Sequence, residues 1–343
     1  MHLNKNQNNK FISLWLLLIT FLVALIIIIG GLTRLTDSGL SITKWDLFTG
    51  IFPPISLDDW EKSFSLYKKI PEYKLINSSM TLDQFKIIYW WEYAHRLLGR
   101  AIVLLFILPL IYLTFKRKLS KKNIFSFYFI LFLMLFQGFV GWYMVKSGLV
   151  DRTDVSQYRL SLHLTLAIII FCILFWNFLK NVSQSNFESK IKISFYLPII
   201  FLIILILQIS LGAFVSGLDA GQIYQSWPLM NQSYFPDDSM FTDLFSLKVF
   251  ETPSLAQFIH RNVAYIMLVF FLVILFIVFK NDDLTYLRKS TILVFLFLLL
   301  QFFLGILTII FGAQIFFASM HQLCSIVLLA ATLILVFKNS RIN

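Results

Sequence analysis

Long apolar runs separated by polar segments dominate the pattern of hydrophobic and polar positions along this chain. A helix that spans a membrane needs about 20 mostly apolar residues. Eight runs qualify, and they cover roughly residues 11–32, 93–115, 124–145, 160–179, 193–215, 255–279, 291–313 and 315–337. The pattern therefore predicts an all-α integral membrane protein with eight transmembrane helices.

Composition agrees with a membrane protein. The chain is 58% hydrophobic and 14% charged, whereas soluble domains carry about 25% charged residues. The net charge of +11 does not indicate nucleic-acid binding, because the basic residues are spread over several short segments and form no single patch. We expect the protein to contact membrane lipid and not to bind nucleic acid.

The charges of the connecting segments predict the orientation in the membrane. Basic residues concentrate in segments 116–123, 180–192 and 280–290, which include Lys118 and Lys190. Segments 33–92 and 216–254 carry mixed or mostly acidic charge. Since basic loops stay in the cytoplasm, both termini are predicted to be cytoplasmic and the two long segments to lie outside.

The N-terminus predicts a retained first helix and a bacterial source. Lys5 and Lys10 precede an apolar run that is too long for a signal peptide and lacks a small-residue cleavage site. Residues 1–10 are too short for an organelle transit peptide. We expect a multi-pass protein of the bacterial inner membrane.

Matching residues recur in the same order and indicate an internal repeat. The Asp, Gly, Trp and Leu of segment 37–47 recur with the same spacing in segment 219–229. The remaining matches pair His95-Arg96 with His260-Arg261, Gln137 and Gly141 with Gln301 and Gly305, and His163 with His321. We predict two four-helix halves, residues 1–185 and 186–343, that form a parallel repeat.

Four of the five histidines fall near the starts of the second, fourth, sixth and eighth runs, namely His95, His163, His260 and His321. Because these helices all begin on the outer side, four imidazoles are predicted at one depth. A histidine in a helix bundle can simply hydrogen-bond across helices, but paired buried imidazoles usually bind metal. Two histidines facing each other across a four-helix bundle provide both axial ligands of a haem iron.

Small and basic residues beside the histidines fit haem. The residues four positions after the histidines are all small, namely Gly99, Ala167, Ala264 and Ser325, although such residues also serve ordinary helix packing. Arg96, Arg100 and Arg261 suit anionic haem propionates. The alternative for these arginines is snorkelling to lipid headgroups.

One position distinguishes the two halves. Glu92 lies three residues before His95, and Gln257 lies three residues before His260. A carboxylate can accept a proton and an amide cannot, so the N-terminal half is predicted to be the reactive one. The alternative for Glu92 is an acid near a helix N-terminus, which the helix dipole favours.

Segments 30–41 and 92–96 and the helices that carry His163, His260 and His321 resemble the haem A synthase family over nearly the whole chain. The resemblance implies two pseudo-symmetric four-helix bundles. It also implies an oxidoreductase that converts the C8 methyl of haem O, through a hydroxymethyl group, to the formyl of haem A, with water as the oxygen source. The product serves haem-copper terminal oxidases.

The resemblance also implies roles for individual residues. His260 and His321 would bind the iron of a haem b cofactor (iron protoporphyrin IX), His95 and His163 would flank the substrate haem iron, and Glu92 would be the catalytic acid or base. Haem O synthase and oxidase assembly factors are the protein partners that it suggests. Segment 33–92 departs from some family members because it contains no cysteine pair.

Two other functions are compatible with the pattern. One is a membrane cytochrome b with two bis-histidine haems that only transfers electrons, against which the difference between Glu92 and Gln257 argues. The other is a transporter with a parallel repeat and a histidine relay, against which the scarcity of acidic residues inside the helices argues. The middle of the first outer segment, residues 56–86, receives no assignment from the pattern.

Overall fold

The structure, a computed structural model, describes residues 2–46, 49–183, 192–194 and 196–340. The predicted boundary between the two halves, after residue 185, lies outside the described residues, and so does Lys190 of the basic segment.

The described chain is almost entirely helical. Its α-helices, in chain order, are α1 (His2–Leu35), α2 (Leu57–Tyr67), α3 (Pro71–Leu75), α4 (Leu82–Phe115), α5 (Lys121–Asp151), α6 (Gln157–Val182), α7 (Tyr196–Gly217), α8 (Pro253–Lys280), α9 (Thr285–Ile310) and α10 (Ile315–Ser340). Short 3-10 turns lie at Thr49–Ile51, Ala220–Gln222, Phe241–Phe245, Leu247–Phe250 and Asp282–Leu284. In the described ranges there is no β-strand, and β pairing is limited to the bridge between Met230 and Ser233.

Eight of the described helices, α1 and α4 to α10, are long and apolar enough to cross a membrane. This confirms the predicted all-α membrane fold with eight spans. Most helix bounds differ from the predicted ones by several residues, and two of these differences have a local cause in the sequence. Helix α4 begins at Leu82 rather than near His95, because Thr81 caps it and its first three turns are too polar to look membrane-spanning. Helix α9 ends at Ile310, because Gly312 and Ala313 turn the chain with positive φ angles of 60° and 56°.

The chain divides into two compact units. We call residues 21–170 the N-terminal unit, and residues 171–343 together with 1–20 the C-terminal unit. Each unit contains one of the two predicted histidine pairs. The division of function between residues 1–185 and 186–343 remains a prediction.

The unassigned segment 56–86 of the N-terminal unit folds into a small aromatic core outside the predicted span. Reciprocal capping by Ser56 and Asp59 starts α2, which buries Trp60, Phe64 and Tyr67. These rings pack against the extended first turns of α4, where Phe64 stacks on Phe85 with ring centroids 5.0 Å apart. We call the long connecting segments, residues 33–92 and 216–254, the outer segments of the two units. The aromatic core holds the outer segment of the N-terminal unit beside the turn of α4 that carries Glu92.

The C-terminal unit contains α7 to α10 together with the first part of α1 and the end of α6, and its core is aromatic and aliphatic. Phe201 on α7 and Phe271 on α8 are fully buried, with ring centroids 4.8 Å apart. Its outer segment begins with Asp219 in the left-handed region at a φ of 50°, as Asp37 does in the other unit at 47°. The two outer segments therefore leave their helices by the same backbone turn.

Candidate functional site

The structure brings the four histidines together in two pairs. In the N-terminal unit the ring centroids of His95 and His163 are 6.4 Å apart, with the ring planes inclined at 61°. In the C-terminal unit those of His260 and His321 are also 6.4 Å apart, inclined at 74°. The two units thus contain equivalent pairs of half-buried imidazoles.

This spacing suits one metal ion between two imidazoles. An imidazole nitrogen binds a metal at about 2 Å, so two nitrogens on opposite sides of one ion lie about 4 Å apart, and the ring centres lie further out. A bare zinc ion takes about four protein ligands. Among the described residues, however, no group of three or more His, Cys, Asp or Glu could hold a metal. The pairs therefore suit a metal that brings its other ligands with it, as haem iron does.

Each imidazole is approached closely by a glycine of another helix. A Cβ atom built on the glycine would lie 3.1 Å from His95 at Gly30, 2.9 Å from His163 at Gly141, 3.3 Å from His260 at Gly212 and 3.0 Å from His321 at Gly305. A side chain at these positions would displace the rings. The repeat therefore extends to Gly30 and Gly212, which the sequence analysis did not single out.

Three of the histidines are contacted by glutamines. Nε2 of Gln137 donates to the backbone oxygen of His163 at 3.0 Å, and Nε2 of Gln208 donates to that of His260 at 2.8 Å. Each amide nitrogen also lies 3.4 Å from the ring Nε2 of its histidine. A separate arrangement joins Gln301 to His321, with 3.2 Å from the amide nitrogen to either ring nitrogen.

Gln208 was missed by the sequence analysis, although its signal was present. It precedes Gly212 by four residues, as Gln137 precedes Gly141. Residues four apart are neighbours on one helix face. The spacing of a glutamine and a glycine that α5, α7 and α9 share would have found it.

Glu92 is buried, 3% exposed, and holds the outer segment of the N-terminal unit. Its Oε2 accepts hydrogen bonds from Ser41 Oγ and Ile42 N, both at 2.7 Å, and its Oε1 accepts one from Arg96 at 2.5 Å. The helix begins at Leu82, about three turns earlier. Glu92 is therefore no first-turn acid, and the helix-dipole explanation is wrong.

Gln257 occupies the matching position in the C-terminal unit, but it donates hydrogen bonds to the outer segment, whereas Glu92 accepts them. Its Nε2 donates to the backbone oxygens of Ala220 and Ile223 at 2.7 and 2.8 Å. Its Oε1 accepts from Arg261 at 3.0 Å. An acceptor in one unit and a donor in the other thus fasten the outer segments.

The three predicted arginines bind backbone oxygens of the outer segments. Arg96 donates to Ile42 and Lys44, Arg100 to Asp46, and Arg261 to Tyr224 and Ser226, at distances of 2.8 to 3.2 Å. Among the described residues, Arg100 Nη1 and Arg261 Nε are buried without a hydrogen-bond partner. These atoms are donors available to an anionic group, as the propionate prediction requires.

A cleft of about 270 Å³ opens beside Arg96. Its lining includes Trp45, Trp142 and Lys146. The Arg96 guanidinium lies 4.8 Å from the centre of the Trp45 ring, and the Lys146 ammonium 4.9 Å from that of Trp142. Lys146 is a cation of this region that the sequence analysis did not consider, although it follows Trp142 by one helical turn.

Two units of spanning helices, each with a facing pair of histidines under an anchored outer segment, define a multi-pass membrane protein with duplicated paired-histidine sites. The chain belongs to the COX15-CtaA family, described as cytochrome oxidase assembly protein, which it matches over residues 13–333. This confirms the family resemblance read from the sequence.

Relatives over nearly the full length carry the name "Heme A synthase". The protein of Pelagibacter ubique is 49% identical over 99% of this chain and 100% of its own length. That of Rickettsia bellii is 44% identical, over 94% of this chain and 97% of its own. That of Rhizobium etli is 39% identical, over 93% and 87%.

Proposed function

We propose that this protein is a haem A synthase that oxidises the C8 methyl of haem O to a formyl group. Equivalent histidine pairs in two membrane units carry this proposal, together with near full-length similarity to proteins named for the reaction. The protein is an oxidoreductase of haem A biosynthesis, a pathway that supplies terminal oxidases. Haem O is its substrate.

The two histidine pairs have different tasks in this proposal. His260 and His321 hold the iron of a haem b cofactor, and His95 and His163 flank the iron of haem O. The ring separation of 6.4 Å in both pairs supports these roles, because it would let both imidazoles of a pair bind one iron. When bound, haem b supplies a redox centre that takes up electrons.

Glu92 is proposed to be the catalytic acid or base. Each oxidation removes an electron pair from the methyl carbon and releases protons, while water supplies the oxygen. A carboxylate within one helical turn of His95 is suited to accept such a proton. Ser41, Ile42 and Arg96 hold the carboxylate in one orientation, and Gln257 offers no proton acceptor of this kind at the equivalent position.

Basic residues at the outer end of the sites are proposed to bind the haem propionates. Arg96, Arg100 and Arg261 are the candidates, and the donor atoms of Arg100 and Arg261 without partners support this role. Lys146 joins them at the substrate side because it lines the cleft beside Arg96. The three arginines would also position the haem relative to the outer segments, because they bond to backbone oxygens of those segments.

The proposed location is the bacterial inner membrane, with both termini cytoplasmic and the haem sites towards the periplasm. The basic segments between spans support this orientation. Haem O synthase and oxidase assembly factors are proposed partners, because the substrate has to arrive and the product has to leave within the membrane.

Pigment analysis tests the proposal. The purified protein should show a low-spin haem spectrum, and solvent extraction followed by chromatography should yield haem b with haem O or haem A. His260→Ala and His321→Ala should each lose the haem b signal. A double variant with the full bis-histidine spectrum would overturn the cofactor assignment. If cells in which this protein is the only candidate haem A synthase make no haem A, the protein would instead be the membrane cytochrome b that only transfers electrons.

A further inference from the structure

Each histidine is faced by a glycine of the preceding membrane helix, but the residue one turn before that glycine is not always the same. It is glutamine on three helices, with the pairs Gln137 and Gly141 on α5, Gln208 and Gly212 on α7, and Gln301 and Gly305 on α9. On α1 the glycine is Gly30, and the residue one turn before it is Ile26. The fourfold pattern is therefore broken at one histidine, His95.

The three glutamines carry the hydrogen-bonding groups that a ligated imidazole needs. Gln137, Gln208 and Gln301 each place the amide nitrogen 3.2 to 3.4 Å from a ring nitrogen. Their Oε1 atoms are buried and have no partner among the described residues, as is also true of Nδ1 in His163 and His260. An imidazole that binds metal through one nitrogen keeps its proton on the other. At Gln137 and Gln208 the atom beside ring Nε2 is the amide nitrogen, which is a donor. Oε1 becomes the acceptor for that proton when the side-chain amide turns over and gives up its bond to the backbone oxygen of the histidine.

Ile26 offers no polar atom to His95. Its Cδ1 lies 3.4 Å from the position that a Cβ on Gly99 would occupy, so it packs against α4 one turn beyond the histidine. Within the part of the chain that the structure describes, the ring of His95 has no hydrogen-bond partner. His95 is therefore held by packing alone.

This difference has a direct consequence for ligand strength. A hydrogen bond from the second nitrogen of a metal-bound imidazole fixes the ring and raises its basicity, and loss of the partner typically lowers metal affinity about 10- to 100-fold. A cofactor has to stay bound, whereas a substrate has to enter and leave. The C-terminal unit contacts both of its imidazoles with glutamine, and the N-terminal unit contacts one.

We infer that Gln137, Gln208 and Gln301 are positioning residues for their histidines, and that Ile26 leaves His95 as the ligand that releases the substrate haem. The inference rests on the proposed function, since it takes His95 and His163 as the substrate site. It provides a reason, separate from Glu92, why the N-terminal site exchanges its haem and the C-terminal site retains its own.

The test is the rate at which haem O leaves the full-length protein that carries haem b. Ile26→Gln supplies the missing amide, and release of haem O to an acceptor such as apomyoglobin should become about 10- to 100-fold slower. The low-spin electron paramagnetic resonance signal of that haem should shift as well. Ile28→Gln introduces the same amide on another face of α1, and its release rate should equal that of the parent.

Reciprocal variants extend the test to the glutamines. Gln208→Leu and Gln301→Leu should accelerate loss of haem b, and Gln137→Leu should accelerate loss of haem O, each by about 10-fold or more. If Ile26→Gln does not fold, as judged by missing haem b, the haem release rates of these three glutamine variants decide whether the inference holds. Release at the parent rate in the folded variants overturns the inference. Failure of the proposed function looks different, because haem O would then not bind, or its binding would survive replacement of His95 and His163.

Discussion

At the scale of single residues, Glu92 and Gln257 show how one exchange can change both chemistry and architecture. Glu92 accepts hydrogen bonds from Ile42 N and Arg96, whereas Gln257 donates to two backbone oxygens. The backbone of each outer segment is therefore matched to the side chain beneath it. Glu92 is at once an anchor of the outer segment and the proposed proton acceptor, and an experiment has to separate these two roles.

The substitution Glu92→Gln best separates the anchoring role from the proton-accepting role, because it keeps the shape of the side chain and removes the charge. The new amide has to direct NH2 towards Arg96 or towards Ile42, both of which are donors, so one hydrogen bond is lost at a cost of about 1–3 kcal/mol. We expect the variant to fold, keep haem b and bind haem O. Formation of haem A should fall by about a hundred- to ten-thousand-fold, measured as the haem composition of cells whose only copy is the variant.

Glu92→Asp is the matched control, since it keeps a carboxylate and should retain more haem A than Glu92→Gln. Hydrogen exchange of segment 40–46 should report whether the outer segment stays anchored. Near-parent haem A from Glu92→Gln would leave Glu92 as an anchor alone. The proton acceptor would then have to be sought in the outer segment, for example at Asp37.

Sequence reasoning located the histidines because apolar runs make an isolated imidazole conspicuous. It missed Gln208, although the spacing from Gly212 repeats that of Gln137 from Gly141, and it missed the exception at Ile26 because the role of that residue depends on which helix lies next to His95. Repeat matching found Gln137 and Gln301, but it gave no sign that they contact imidazoles. Contacts between distant segments require the packing, which spacing alone does not specify.

At the scale of elements, the outward extension of α4 decides the shape of the N-terminal site. Hydropathy hid the first three turns of this helix, because Asp83 and Lys86, on its more exposed side, interrupt the run of apolar residues that supplies a buried face. That face, with Phe85 and Tyr89, is covered by α2 rather than by lipid. The sequence signals of these two helix starts are the reciprocal caps that begin at Ser56 and Thr81.

Phe64→Ala should open this small core without disturbing the spans. The ring is 7% exposed, stacks on Phe85 and meets Tyr73 edge-on at 5.8 Å between centroids. Truncating a buried phenylalanine costs about 3–5 kcal/mol, so limited proteolysis within residues 57–77 should become much faster. Phe52→Ala is the control, because Phe52 is 75% exposed. Equal cleavage rates in the two variants would contradict a packed outer core.

Glu72 on α3 should make the stability of the same core depend on pH. The side chain is 5% exposed, and its Oε1 accepts from Tyr67 at 3.2 Å and from Asn77 at 3.4 Å. Burial, with a further contribution from the nearby Asp154 carboxylate, raises the pKa of Glu72 from 4.5 to about 8. The folded state therefore favours the protonated form.

Because the folded pKa lies above the unfolded one, the stability linked to Glu72 is fully present below the unfolded pKa. It is lost as pH rises through the folded pKa. The loss is on the order of a few kcal/mol. Hydrogen exchange of residues 57–77, corrected for intrinsic rates, should show protection that falls between the unfolded pKa of 4.5 and the folded pKa of about 8. Glu72→Gln is neutral at every pH and should flatten this profile; parallel profiles would assign the pH dependence to another group.

At the scale of the whole molecule, the repeat extends from sequence into contacts. Asp37 and Asp219 turn the chain in the same way, and Arg96 and Arg261 bind equivalent backbone oxygens of their outer segments. A duplicated unit therefore accounts for the eight spans and the two histidine pairs. Departures from the repeat, at Glu92 and at Ile26, both lie in the N-terminal unit. They are the positions to which we assign proton transfer during oxidation and release of the substrate haem.

The predicted parallel repeat places basic segments in the cytoplasm and the long connecting segments outside, and fusion of topology reporters tests this prediction. Lys118 lies in segment 116–123, which contains five cations from the end of α4 to the start of α5. This segment should remain in the cytoplasm because basic loops resist translocation. Asp58 lies in α2 of the outer segment. Alkaline phosphatase, which is active only outside the cytoplasm, should be inactive when fused after Lys118 and active when fused near Asp58. A fusion after residue 340 should be inactive as a control. The opposite pattern would place the histidine pairs near the cytoplasmic face and overturn the proposed periplasmic side of both haem sites.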